Sequence, residues 1–170
     1  MAELPAVNAS PLIYLARAGL LDFLQLVSET VVVPAAVTDE IRRRGPTDIT
    51  VQALQNTAWI VQIDDPPIPR VIQAWDLGEG ESAVLAWAYA HSGTEAIIDD
   101  LAGRRCAAAL GILVRGTLGL ILTAKRRGRI PQARPVLQRL RQAGMYLSDS
   151  IMNQALALVG NRQKMEYSER

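Results

Sequence analysis

The stretch Thr30-Val31-Val32-Val33-Pro34-Ala35-Ala36-Val37-Thr38-Asp39-Glu40-Ile41 decides the fold. Its first four residues are a continuous β-branched run, the pattern of a strand buried on both faces, and Pro34 ends it. A helix is expected over 35–44, stopped by Gly45-Pro46. The same strand-then-helix unit recurs in both directions. Upstream, residues 6–8 read as a short buried strand that breaks at Asn8 into a helix, with Ser10 as N-cap and Pro11 as the first helical residue. The apolar face of that helix runs on through Leu20, Leu21, Phe23, Leu24 and Leu26. Downstream, strands are expected over 59–63, 95–98 and 112–115, and helices over 48–57 and 82–90, through Arg104 and Ala109 to a stop at Gly111, and over 117–127, 135–143 and 148–158. Short apolar strands alternating with helices argue for an α/β fold on a mostly parallel sheet covered on both faces. In such folds the functional groups lie beyond the carboxyl ends of the strands.

A length of 170 residues suits one domain, taken here as 1–160, with 161–170 as a C-terminal tail that need not be ordered. Hydrophobic residues at 49% and charged residues at 21% supply a real core and disfavour disorder or a coiled coil. The single cysteine, Cys106, excludes an internal disulfide, and no His/Cys cluster offers a structural zinc site; a reducing, cytoplasmic setting is expected. The N-terminus lacks a secretory pattern, and the apolar tract 106–124 is broken by Arg115 and three glycines, so no membrane span is expected. The formal charge of +1 hides a strong polarity. Residues 1–100 hold 5 Lys and Arg against 14 Asp and Glu, a balance of −9, whereas residues 101–150 hold 10 against 1, a balance of +9. An acidic site flanked by a basic surface suits a metal-dependent enzyme acting on a phosphate polymer.

Four places deliver polar groups to the predicted strand ends: Asn8, Glu40, Glu81 at its helix start, and Asp99 with Asp100. Each acid taken singly also has a structural reading. Glu79 and Glu81 can favour a helix dipole, Asp99 and Asp100 can cap the next helix, and Glu40 can pair with Arg44. Carboxylates converging from distant segments repel one another unless a cation or a shared proton compensates, so the set together implies a metal. Oxygen donors without Cys or His favour Mg²⁺ or Mn²⁺. The run Lys125-Arg126-Arg127-Gly128-Arg129 is the best candidate for tracking a nucleic-acid backbone, and Arg104 and Arg105 lie nearer the acidic strand end. His91 reads as a helix-end partner and Cys106 as a small core residue.

Five segments together resemble the PIN-like domains, including VapC-type toxins and the bacterial and archaeal branch of predicted nucleic acid-binding proteins. They are Val-Asn-Ala-Ser-Pro-Leu-Ile (7–13), Val-Pro-Ala-Ala-Val-Thr-Asp-Glu-Ile (33–41), Gly-Glu-Gly-Glu-Ser-Ala-Val-Leu-Ala (78–86), Ile-Asp-Asp-Leu-Ala-Gly-Arg-Arg (98–105) and 116–131. The resemblance implies a three-layer α/β/α fold and Mg²⁺- or Mn²⁺-dependent endoribonuclease activity. It also implies a toxin held by a small antitoxin, and homodimer assembly. Glu40 matches the second acid, Glu81 the acid that opens the central helix, and Asp99 or Asp100 the acid after the fourth strand. Asn8 stands where active members carry Asp, which removes a charge from the site.

The leading expectation is therefore a metal-dependent endoribonuclease of the cytoplasm. Glu40, Glu81, Asp99 or Asp100 and Asn8 hold the ion, Ser10 or Thr117 orients a water, and Arg104, Arg105, Lys125, Arg126, Arg127 and Arg129 bind RNA. The alternative is a catalytically weakened nucleic-acid or protein-binding module, motivated by Asn8. A small-molecule enzyme on the same layout is a third reading, disfavoured by the lack of a cofactor fingerprint.

Overall fold

A five-stranded parallel sheet is built from β1 (Ala6–Val7), β2 (Val31–Pro34), β3 (Ile60–Ile63), β4 (Glu95–Ile97) and β5 (Leu113–Arg115), in the order β3-β2-β1-β4-β5. The computed structural model describes residues 3–168, and side chains through residue 159. The helices are α1 (Ala9–Ala18), α2 (Ala35–Arg42), α3 (Ile49–Asn56), α4 (Arg70–Gln73), α5 (Glu79–Ala90), α6 (Leu101–Ala109), α7 (Thr117–Arg126), α8 (Ala133–Gln142) and α9 (Asp149–Ser168). One helical layer centres on α5, which packs across β1, β2 and β4 with α2, α4 and α6 beside it. In the other, α1 packs with α3, α7 and α8, and α9 closes against α7 and α8. The result is the three-layer α/β/α arrangement.

All four residues of β2 are buried, as a strand covered on both faces requires, whereas the edge strands β3 and β5 each leave residues exposed. Ile97, Ile98, Leu120, Ile121 and Leu137 extend this core into the layers on either side. From β1 the chain steps outward to β2 and β3, then returns to add β4 and β5 on the other side. The direction of winding thus reverses between β1 and β4, and the crevice beyond the carboxyl ends of that pair is where such sheets receive ligands. Asn8 is the first residue past β1, its N–H donating to the Ile97 carbonyl at 3.0 Å. Asp99 and Asp100 follow β4 into the same crevice region.

Several local expectations are corrected. The N-cap of α1 is Asn8, and Ser10 lies inside the first turn. The apolar face does not run on as one helix to Leu26, because Gly19 adopts φ 70° and the N–H groups of Gly19 and Leu20 close onto the carbonyls of Ala16 and Leu15. That left-handed cap ends α1, and Leu21–Leu26 forms a separate 3-10 helix. The short α4, which follows the loop after β3, was not expected. α9 continues through Ser168, past the expected end at 158. For the expected tail 161–170, the side chains and residues 169–170 lie outside the described residues. Among the described residues no helix is long and apolar enough to cross a membrane.

Candidate active site

Gly80, the second residue of α5, brings three chain segments to one point. A Cβ placed there would meet Asn8 Oδ1 and Glu40 Oε2 at 3.3 Å each and Val37 Cγ2 at 3.2 Å. Those contacts are tighter than a Cβ ordinarily makes, so a glycine eases the close approach of α5 to β1 and α2. Asn8 is 5% exposed, and its Oδ1 has no hydrogen-bond partner. A buried acceptor left unpaired costs roughly 1–3 kcal/mol, so its position requires an explanation. Glu81 follows Gly80 directly, and its carboxyl is pushed up to about 6 by burial, by the charge and hydrogen bonding of Asp100, and by the charge of Glu40. Glu81 therefore lies near both Asp100 and Glu40. Asn8, Ser10, Glu40, Arg43, Glu79 and Glu81 line one cleft of about 410 Å³.

Asp99 and Asp100, adjacent in sequence, have different surroundings. Asp99 accepts from the Thr117 N–H and the Thr117 hydroxyl, at 2.7 Å each, joining β4 to the start of α7. Asp100 caps α6 by accepting from the Gly103 N–H at 3.0 Å, and it is the aspartate that faces Glu81. Gly103 makes room for this pairing, since a Cβ there would come within 3.4 Å of Glu81 Oε2. Thr117 is fully buried and its hydroxyl is committed to Asp99, which corrects the expectation that it orients a water. Thr117→Val keeps the volume and removes a hydrogen bond to a charged group. It is expected to lower stability by about 2 kcal/mol in chemical denaturation while leaving any activity within a few-fold of wild type.

The basic tract lies away from this cleft. α7 starts beside Asp99 and runs ten residues, roughly 15 Å, before reaching Lys125 and Arg126. Beyond it, Arg127 donates to the Leu26 carbonyl at the end of the 3-10 helix that precedes β2, so Lys125–Arg129 sits toward the end of the sheet where strands begin. Arg139 donates to the Ala18 carbonyl at the end of α1, and Arg141 pairs with Asp149 at 3.1 Å. Arg104, in contrast, stands near Asp99, both having atoms close to Gly116. Arg105 is exposed on the same helix. His91 ends α5, stacks on Trp87 and holds the Trp87 carbonyl at 2.7 Å through Nδ1, and Cys106 is buried, as expected.

Two site features escaped the sequence. Arg43, which lines the cleft beside Glu40, was hidden within Arg42-Arg43-Arg44; its spacing of three from Glu40 along α2 was the available signal. Gly80 was read only within the 78–86 segment, ahead of a helix expected from 82, whereas α5 starts at Glu79.

The parallel sheet in the order β3-β2-β1-β4-β5, with a polar cleft lined by Asn8, Glu40 and Glu81, places the chain among the doubly wound α/β domains. The family model described as PIN domain (DUF3368) matches residues 5–161, and the chain belongs to that family. No match was found among curated proteins, nor among solved structures.

The donors fit a hard divalent cation in an open arrangement. Among the described residues no group of three or more His, Cys, Asp or Glu side chains is placed to hold a metal ion, so carboxylates alone do not make a site. What the site offers is the unpaired amide oxygen of Asn8, Glu40 across the Gly80 cradle, and Glu81 next in line. One or two carboxylates with several retained waters is the manner in which Mg²⁺ is held.

Proposed function

We propose that this PIN domain is a metal-dependent endoribonuclease that hydrolyses RNA phosphodiesters. The observation that carries the reading is the buried, unpartnered Oδ1 of Asn8 set against Glu40 and Glu81, a concentration of oxygen donors that a cation would balance. In the proposal Asn8, Glu40 and Glu81 hold Mg²⁺ or Mn²⁺, and Asp100 positions Glu81. When bound, the ion polarises the phosphoryl oxygen and lowers the pKa of water. Ser10 and Arg43 line the mouth, where Arg43 can hold a phosphate oxygen of the substrate. Asp99 fixes the β4–α7 junction through Thr117 and is assigned no direct chemistry. A toxin role in the cytoplasm, with a small antitoxin partner and homodimer assembly, belongs to the same proposal and rests on the resemblance to VapC-type members.

The test is incubation of a mixed RNA pool with the purified chain in Mg²⁺, Mn²⁺ or chelator. Cutting with either metal and none in chelator is expected. Cutting that persists in chelator refutes the metal's role. The second reading, a binding module without catalysis, is favoured by Asn8 itself, which supplies a neutral oxygen in place of a charged one. Folded protein that binds RNA and cuts with neither metal supports that module.

A further inference from the structure

Arg104, Arg115, Gly116, Leu118, Thr123 and Arg126 line a second groove, of about 350 Å³, distinct from the carboxylate cleft. Gly116, Gly119, Thr123 and Arg126 recur at helical spacing, so the groove follows one face of α7 along its length. Its near end lies at Gly116, where a Cβ would be 3.0 Å from Asp99 Oδ1 and 3.4 Å from Arg104 Nη1, one residue from the aspartate that faces Glu81. Its far end is Arg126, roughly 15 Å away along ten helical residues.

The charges in the groove divide into two kinds. Arg115 is neutralised: Nε and Nη2 donate to Glu95 at 2.7 and 2.9 Å, and Nη1 donates to the Thr123 hydroxyl at 2.6 Å. It is part of the wall. Arg104 and Arg126 are exposed and have no ion pair or side-chain hydrogen bond among the described residues. Between these two cations the half-buried Leu118 supplies the apolar contact, while Leu122 belongs to the core beneath.

We infer that this groove is the track of single-stranded RNA leading from the carboxylate cleft, an inference that rests on the proposed ribonuclease reading. Two guanidinium groups hold successive parts of the sugar–phosphate backbone, and Leu118 meets an unstacked base, a contact that only a single strand exposes. Arg126 is then the one member of the basic tract that acts on substrate, through the groove and not through the pole where Arg127 is tied down. The exposed edge of β5 would also accept a peptide strand, but two arginines that pair with no acid among the described residues complement a polyanion better.

The test is anisotropy of a labelled single-stranded RNA with the full chain in chelator, so that binding is read without cleavage. Arg104→Ala and Arg126→Ala, both at exposed positions, are each expected to weaken binding about threefold or more. Each should also reduce the slope of log affinity against log salt by about 0.7. Arg134→Ala, an exposed arginine on α8 outside the groove, is expected to bind as wild type, and Arg126→Lys to keep most of the affinity. Unchanged binding in both groove variants overturns the inference, as does an equal loss in Arg134→Ala or a wild type with no RNA affinity. Displacement of a bound peptide strand by the groove substitutions, with RNA binding intact, also overturns it. Cleavage measured on the same proteins in Mg²⁺ separates the two readings. Binding through the groove without cutting refutes hydrolysis alone, whereas cutting with groove variants that bind normally refutes the track alone.

Discussion

Glu81→Gln is expected to reduce metal-dependent RNA cleavage by about a hundredfold or more and, at the same time, to make the metal-free protein more stable at neutral pH. The two effects share one cause. Glu81 lies near both Asp100 and Glu40, and burial and those two charges push its carboxyl up from 4.5 to about 6. The folded state therefore binds the Glu81 proton more tightly than the unfolded chain does. The stability this contributes is fully present below 4.5 and is lost as pH rises through about 6. Above that window the ionised side chain is held against its neighbours at a cost of about 1 kcal/mol, once solvent screening of a partly exposed carboxylate is allowed for. Gln carries no charge at any pH, so that pH dependence should flatten and the melting temperature at neutral pH should rise by about 2–4 °C. Added Mg²⁺ or Mn²⁺ should stabilise the wild type more than the variant, since a ligand that binds the folded state stabilises by mass action. Thermal melts across the pH window with and without metal, beside cleavage assays, check all three parts. Unchanged cleavage, or a variant less stable than wild type at neutral pH, removes Glu81 from the role.

The strands and their order of appearance were legible because each is a short apolar or β-branched run closed by Pro, Gly or a polar residue. The run ending at Pro34 is an instance, and its four buried residues match the expectation of cover on both faces. Once a parallel sheet is accepted, the rule of strand carboxyl ends selects Asn8, Glu40, Glu81 and the Asp99-Asp100 pair. The division of labour within that pair was not legible. Adjacent residues leaving a strand point to opposite sides, and only the placement of Thr117 reveals that Asp99 is already taken. Gly80 was equally silent, because a glycine that eases a close approach looks the same in sequence as one that leads into a helix. The reach of the basic tract could have been read. A helix that begins at a strand's carboxyl end runs back along the sheet, so Lys125 to Arg129 at its far end lie about one helix length from the site.

Asn8→Asp is expected to raise divalent metal affinity by about tenfold or more and to raise cleavage with it, because ligand charge count tunes the affinity of such oxygen sites. The substitution keeps the shape of the side chain and its position as N-cap of α1, where Asp serves as well as Asn. What changes is the charge at a position 5% exposed, beside Glu40 across the Gly80 cradle. Without metal that new carboxylate meets a like charge and lacks water. The metal-free variant should lose about 2 kcal/mol of stability at neutral pH, part of it recovered from the favourable charge at the N-terminus of α1. Metal should restore the loss, so the gap in melting temperature between metal-loaded and metal-free protein should widen relative to wild type. Isothermal titration with Mn²⁺, melts with and without metal, and RNA cleavage rates measure the three quantities on one preparation. Higher metal affinity with cleavage still absent would make the domain a binding module whose loss goes deeper than residue 8. Unchanged metal affinity would mean that the unpaired Asn8 oxygen does not face a cation, and the proposed site would lose the observation that carries it.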